Sequence, residues 1–361
     1  MLFVPFLIGF SNPKRKIKIF VPTPRIKMKL REICSVRHTD KLQSSRVWMS
    51  SWNHSGKLIA SCGDDKTVVL WAYNEGKLEF VKRVDGEHEK AIRCVNFSHC
   101  GNYLASAGFD AVVVVYANGE HGFEQYSRME GHESEVKCCA YSPSDEFLAT
   151  CSRDKTVWLW QMDEELDYNV SSIMQTHSQD VKSVVWHPHE QLLVSCGYDS
   201  AIRFYKYDGE DWITQQRIEN VHEGTVWSAA FDGEGNRLVT VGEDHKIKLF
   251  MRSNIGIKSA ENDTWMKICE LEVENTRWPL YSVSWNATND LIATGGGDSK
   301  IRIFKIAGNT AENSIIEHLG VYGKHELEIN SVSWCPNPET PTLLTSASDD
   351  GCIKVWNMDI L

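Results

Sequence analysis

Seven times along this chain a short apolar, β-like run ends at an aspartate and is followed by an aromatic residue six positions later. The aspartates are Asp65, Asp110, Asp154, Asp199, Asp244, Asp298 and Asp350. The aromatics are Trp71, Tyr116, Trp160, Tyr205, Phe250, Phe304 and Trp356. Successive aspartates lie 45, 44, 45, 45, 54 and 52 residues apart. A second aromatic stands thirteen positions before each of the first six: Trp52, Phe97, Tyr141, Trp186, Phe231 and Trp285. Trp334 takes that place in the seventh repeat, shifted by an insertion at Pro336–Thr342. A fixed period near 45 marks the repetition of one supersecondary unit.

The pattern resembles WD40 repeats, each of which folds as a four-stranded propeller blade. It predicts an all-β, seven-bladed WD40 β-propeller. A histidine stands twenty-two positions before the aspartate in repeats two to five, as His88, His132, His177 and His222. His325 serves repeat seven across the insertion, and repeats one and six have no histidine at that spacing. In WD40 blades the loop histidine, a Ser or Thr, the turn aspartate and the terminal aromatic share a buried hydrogen-bond network. The resemblance therefore assigns a structural role to His88, Asp110, His132, Asp154, Trp160, His177, Asp199, His222 and Asp244. Such networks recur whole, because a half-satisfied one is costly. The aspartate also suits the tight turn, where its side chain accepts bonds from nearby backbone N–H groups.

The repeats divide the chain into an N-terminal extension, 1–28, expected to be poorly ordered, and a propeller over 29–361. Leu2–Phe10 is apolar, but no basic stretch precedes it and no small-residue cleavage site follows, which disfavours a secretory signal. Repeat seven supplies only three strands by Trp356. The alternating stretch Leu30–Val36 is therefore predicted to complete the last blade, joining the termini and protecting the sheet edges. Two polar insertions, Ser253–Thr264 and Ala307–Gly323, read as exposed loops. The acidic run Met162–Asp167 reads as a solvated loop, with an electrostatic docking site as the alternative.

Hydrophobic content of 42% and 13 tryptophans are ample for a core in 361 residues. A net charge of −11 argues against a general nucleic-acid or acidic-membrane role, though a local basic patch stays open. No apolar run reaches 18 residues, so no spanning helix is expected. The 11 cysteines follow the repeat. Cys62, Cys151 and Cys196 stand three before their aspartates, where other repeats carry Ala107, Val241, Gly295 and Ala347. Cys94 and Cys138 stand sixteen before, where others carry Ser183, Ser228 and Ser282. They read as small core fillers. No C-x-x-C occurs, and the odd count suits a reducing compartment. His187 and His189 flank Pro188, but two ligands alone do not make a metal site. With no nucleophile elbow or phosphate loop, no catalytic residue, cofactor or metal is expected.

Propellers commonly bind on the face formed by the loops before the first strand and between the second and third strands. Two registers sample it. The residue before each aspartate is Asp64, Phe109, Arg153, Tyr198, Glu243, Gly297 and Asp349. The residue seventeen before is Trp48, Arg93, Lys137, Lys182, Trp227 and Tyr281, with Asn330 in the shifted seventh repeat. The predicted partner-binding set is Arg153, Phe109, Tyr198, Arg93, Lys137, Lys182, Trp48 and Trp227. Aromatic and arginine side chains favour interface hot spots, and a basic cluster on an acidic protein steers an acidic partner.

Three stretches resemble the WD-repeat protein of the cytosolic iron–sulfur protein assembly machinery, the Cia/Ciao family. They are Leu148–Trp160 (LATCSRDKTVWLW), His177–Pro188 (HSQDVKSVVWHP) and His222–Ser228 (HEGTVWS). The Asp208–Trp212 loop is similar as well, and the match runs from about Lys29 to the C-terminus. Cys151-Ser152-Arg153-Asp154 is the most specific element. The resemblance implies a non-enzymatic scaffold subunit of the targeting complex that delivers preformed clusters to cytosolic and nuclear apoproteins. It implies protein partners only: a HEAT-repeat scaffold, a small cluster-handling subunit and the recipient apoproteins. A cytoplasmic location is expected, with the nucleus as a second. Arg153 would match the family's functional surface arginine and pair with a partner carboxylate between aromatic walls. The alternative is another WD40 interaction scaffold, such as a ubiquitin-ligase substrate receptor. Where vertebrate relatives carry Leu-Tyr-Arg, suggested to engage a cochaperone, this chain has Phe204-Tyr205-Lys206. Lysine lacks arginine's planar fork, so that interaction is not carried over.

Overall fold

A computed structural model describes residues 28–39, 45–163, 167–253 and 263–360. Their strands form seven four-stranded antiparallel sheets. The blades span residues 47–84, 92–129, 136–174, 181–218, 226–272 and 280–324, and the seventh spans 329–360 with one strand from the chain start. That strand, β1 (Met28–Arg37), pairs antiparallel with β28 (Cys352–Ile360), from Met28 opposite Ile360 to Arg37 opposite Cys352. The expectation for 1–28 falls almost wholly outside the described residues, since Met28 is already part of β1.

The first strand of each blade lies innermost. These are β2 (Val47–Trp52), β6 (Ile92–Phe97), β10 (Val136–Tyr141), β14 (Val181–Trp186), β18 (Val226–Phe231), β22 (Leu280–Trp285) and β26 (Ile329–Trp334). Each packs against the next, and β26 returns to β2, so they ring a central axis. The apolar clusters are shared between neighbouring blades. Ala149 and Leu159 of blade three, for example, pack with Val184, Trp186 and Tyr205 of blade four.

The repeat aspartate sits in the hairpin between the second and third strands. The residue after it has a left-handed backbone in every blade: Lys66, Ala111, Lys155, Ser200, His245, Ser299 and Gly351. That is the three-residue hairpin, a tight turn closed by a left-handed residue. Only blade seven uses glycine there, so elsewhere other contacts must hold the turn. The histidine network does so. In blade three His132 Nδ1 lies 2.7 Å from Asp154 Oδ2, and its Nε2 lies 2.9 Å from Thr150 Oγ1. Trp160 Nε1 donates to the same hydroxyl at 2.9 Å. Matching links join His88 to Asp110, His177 to Asp199, His222 to Asp244 and His325 to Asp350.

Blades one and six depart from that spacing in different ways. In blade one His38, directly after β1, reaches Asp65 from twenty-seven positions away. In blade six no histidine is used, and the Arg302 guanidinium grips Asp298 through two nitrogens. The Ala307–Gly323 insertion is not wholly a loop. Ile315–Lys324 forms the outer strand of blade six, and Ile316 is buried. Of the Ser253–Thr264 insertion, 254–262 lie outside the described residues. Its two ends meet where Ser253 N–H donates to Thr264 O at 2.8 Å.

Candidate docking mouth

Every first strand carries a β-bulge at the same place. In β10, Val136 faces Ser152 and Cys138 faces Cys151, which leaves Lys137 unpaired. The equivalent bulged residues are Trp48, Arg93, Lys182, Trp227, Tyr281 and Asn330. A bulge bends the strand and re-aims the extra side chain. Here it turns seven side chains from the ring of inner strands toward one end of the axis.

The bulged residues surround a cavity of about 270 Å³, which Phe109, Tyr198, Arg46, Glu328 and Asp349 complete. Seven of the eight predicted partner-binding residues line it: Trp48, Arg93, Phe109, Lys137, Lys182, Tyr198 and Trp227. Cations and rings alternate around the wall. Lys137 Nζ sits 4.2 Å from the Phe109 ring centre, and Lys182 Nζ sits 3.9 Å from that of Tyr198. The Arg93 guanidinium lies 5.2 Å from the Trp48 ring, and Trp227 meets Tyr281 edge-on at 5.0 Å.

The charge is divided. Arg93, Lys137 and Lys182 form no ion pair among the described residues. The acids opposite are engaged: Asp349 accepts from Asn330 Nδ2 at 2.7 Å and faces Arg46 Nε at 3.5 Å. Asp64 accepts from Trp48 Nε1 at 2.6 Å, and Glu243 from Trp227 Nε1 at 2.9 Å. Burial, reinforced by Lys137, pulls the Lys182 ammonium down to about 8. Burial also lowers Lys137, with Arg93 adding to the effect against Glu135. Charged amines destabilised by burial and by one another mark a place where an anion would be welcome.

Arg153 is the exception to the predicted set. It does not line the cavity. Its side chain is 58% exposed, and Nη1 lies 3.0 and 3.3 Å from the two Glu135 carboxylate oxygens. The chain itself already provides this arginine with a carboxylate. Arg46 and Glu328 escaped the registers, although both stand two residues before a bulged position. Tyr281, Asn330 and Asp349 stood in the registers but outside the predicted set.

His187 and His189 are engaged elsewhere. Their Nε2 atoms lie 2.9 Å from Gly235 O and 2.7 Å from Gly233 O on the next blade. Among the described residues no group of three or more His, Cys, Asp or Glu could hold a metal ion. Phe204 and Tyr205 are wholly buried, so they are framework and present nothing to a partner.

The family described as "WD domain, G-beta repeat" matches seven segments: 34–72, 79–116, 123–161, 169–206, 214–250, 269–305 and 316–357. A Caenorhabditis elegans protein, "Probable cytosolic iron-sulfur protein assembly protein CIAO1 homolog", is 59% identical over 337 residues, covering 92% of this chain and 100% of that protein. An Aedes aegypti protein, "Probable cytosolic iron-sulfur protein assembly protein Ciao1", is 40% identical over 109 residues, 30% of this chain and 32% of its own. A Dictyostelium discoideum CIAO1 homolog is 36% identical over 98 residues, covering 27% of this chain and 28% of that protein.

Proposed function

Because the chain belongs to the WD40-repeat CIAO1 family of cytosolic iron–sulfur protein assembly proteins, we propose that it is a non-enzymatic scaffold of the targeting complex. In this reading it docks a HEAT-repeat scaffold, a small cluster-handling subunit and iron–sulfur apoproteins, in the cytoplasm and also the nucleus. It brings recipient and cluster carrier together rather than acting on the cluster.

The observation that carries the reading is the mouth: three cations without ion pairs among the described residues, set against aromatic rings around a cavity of about 270 Å³. An acidic side chain of a partner would complete their charge, and an adjoining aromatic would find Trp48, Trp227 and Tyr281 as walls. A hydrogen bond between charged groups shielded from water is worth about 1.5–3 kcal/mol. The acids opposite would repel a misplaced carboxylate and so fix the register.

Affinity purification of the tagged protein from cytosol tests the reading. Wild type should recover the scaffold, the small subunit and iron–sulfur apoproteins. Lys137→Glu with Lys182→Glu should recover little of them while staying folded by circular dichroism. Equal recovery by both forms would reject the mouth. Recovery of a cullin adaptor in place of iron–sulfur components would reject the targeting complex in favour of a ubiquitin-ligase receptor.

A further inference from the structure

Four thiols run below the mouth from the seam of blades two and three, which holds Cys94 and Cys139, toward blade four, where Cys138 and Cys151 Sγ each lie 3.7 Å from a backbone carbonyl, of Val184 and Val181. Cys94 lies on β6, Cys138 and Cys139 on β10, and Cys151 faces Cys138 across the sheet. The Cys94 thiol donates to Cys138 Sγ at 3.9 Å, and Cys139 Sγ stands 3.7 Å from Cys94 Sγ. The Cys139 amide donates to Cys94 Sγ at 3.3 Å. Of the four, Cys138 alone keeps partial exposure, while Cys94, Cys139 and Cys151 are buried.

We propose that Cys138 and Cys94 are a peroxide-oxidisable dithiol, which closes to a disulfide between the first strands of blades two and three. Cys138 attacks hydrogen peroxide: an S–O bond forms, the O–O bond breaks, and the released hydroxide leaves as water with the thiol proton. Cys94 then attacks the Cys138 sulfenic acid: the S–S bond forms, the S–O bond breaks, and a second water leaves with the Cys94 proton. Two thiols are oxidised to one disulfide as one peroxide is reduced to two waters. Closure needs the sulfurs to move from 3.9 Å to about 2.05 Å.

The order of attack follows from access and charge. Peroxide reaches Cys138 first, because Cys94 is 1% exposed. Hydrogen bonds from Cys151 and Cys94 hold the Cys138 thiol below its ordinary range, with Arg93 assisting. Hydrogen bonding to Cys138 and Cys139, with burial, holds Cys94 above it. A thiolate-prone attacker beside a protonated partner is the arrangement disulfide formation needs. The pair sits one residue from Arg93 and Lys137, so closing it draws on the two strand ends that aim those cations.

The test is peroxide treatment of the reduced full-length protein, alkylation of remaining thiols, digestion and mass mapping. The expected product is a Cys94–Cys138 cross-linked peptide, lost in Cys138→Ser. In Cys94→Ser, Cys138 should instead be trapped as a dimedone-labelled sulfenic acid. Serine already stands at the Cys138 position in other blades, as Ser183, Ser228 and Ser282, so the variants should fold, and circular dichroism checks this. The wild-type map decides independently of them. Oxidation of exposed Cys100 with Cys138 still alkylated would overturn the proposal, as would Cys138 linked to Cys151.

Discussion

His38 Nε2 lies 3.1 Å from Asp65 Oδ1, and its Nδ1 lies 2.9 Å from Ser61 Oγ. Blade one thus has a complete network, but its ring is turned over relative to blade three, where Nδ1 faces the aspartate. Arg83 braces the same corner, with Nη1 3.0 Å from Asp65 Oδ2 and Nη2 donating to His38 O at 2.6 Å. Because His38 follows β1, it couples the outer strand of blade seven to the turn of blade one. His38→Ala leaves Asp65 and Ser61 each short of a partner and should cost about 1–3 kcal/mol. Urea unfolding measures it, and an unchanged midpoint would remove His38 from the network.

The turn aspartates give the ring an acid limit. Burial alone would raise these carboxyls, but bonds from His88, His132 and His325, with nearby N–H groups, outweigh it. Asp110, Asp154 and Asp350 are each pulled down to about 2. A carboxyl depressed in the folded state stabilises the fold above its unfolded value, and that stability is lost as pH falls through the folded one. Each contributes on the order of 2 kcal/mol at neutral pH. Their contribution to the unfolding free energy should therefore stay level between about pH 7 and 5, then be lost between about pH 4 and 2. Asp110→Asn should lower stability at neutral pH and flatten the acid limb. A limb as steep as in wild type would contradict the assignment.

The repeat register was legible because each blade needs the same turn, the same aromatic and the same bulge. Trp48, Arg93, Lys137, Lys182 and Trp227 could be aligned without coordinates because bulged positions recur with the period. His38 was not, because it lies 27 positions from its aspartate rather than 22. Arg302 was hidden for another reason: it replaces the histidine's chemistry from a different strand. The strand Ile315–Lys324 was concealed by the Gly and Asn around it. The register placed Arg153 just before Asp154 but could not show Glu135 beside it, since that pairing depends on side-chain reach.

Lys182 offers a readout of docking by pH. Burial first, then Lys137, pulls its ammonium down to about 8 from the ordinary 10.5. The charged amine is thus disfavoured in the free fold, whose stability should rise as pH climbs from about 8 to 10. An acidic partner needs the opposite, a charged Lys182. Recovery of the partner set should therefore fall between pH 7 and about pH 9, and Lys182→Arg should abolish that fall because arginine stays charged. Lys182→Met should weaken capture yet stabilise the free ring by about 1–2 kcal/mol. Identical pH profiles for wild type and Lys182→Arg would show that this amine is not titrating in the docking step.

Blade six allows the network to be tested by its own gap. Thr294 occupies the slot of Thr150, but with Phe304 in place of the tryptophan and no histidine, its buried hydroxyl has no partner among the described residues. Thr150 Oγ1, by contrast, accepts from Trp160 Nε1 at 2.9 Å and meets His132 Nε2 at 2.9 Å. The same substitution should therefore have opposite signs. Thr150→Val strands two buried nitrogens and should cost about 1–3 kcal/mol. Thr294→Val removes an unpaired hydroxyl from an apolar site and should be neutral or stabilising by about 1 kcal/mol. Paired urea titrations with unchanged slopes decide it. Equal losses in both variants would mean that the threonine methyl and packing, not the hydrogen bonds, set the value of this position throughout the ring.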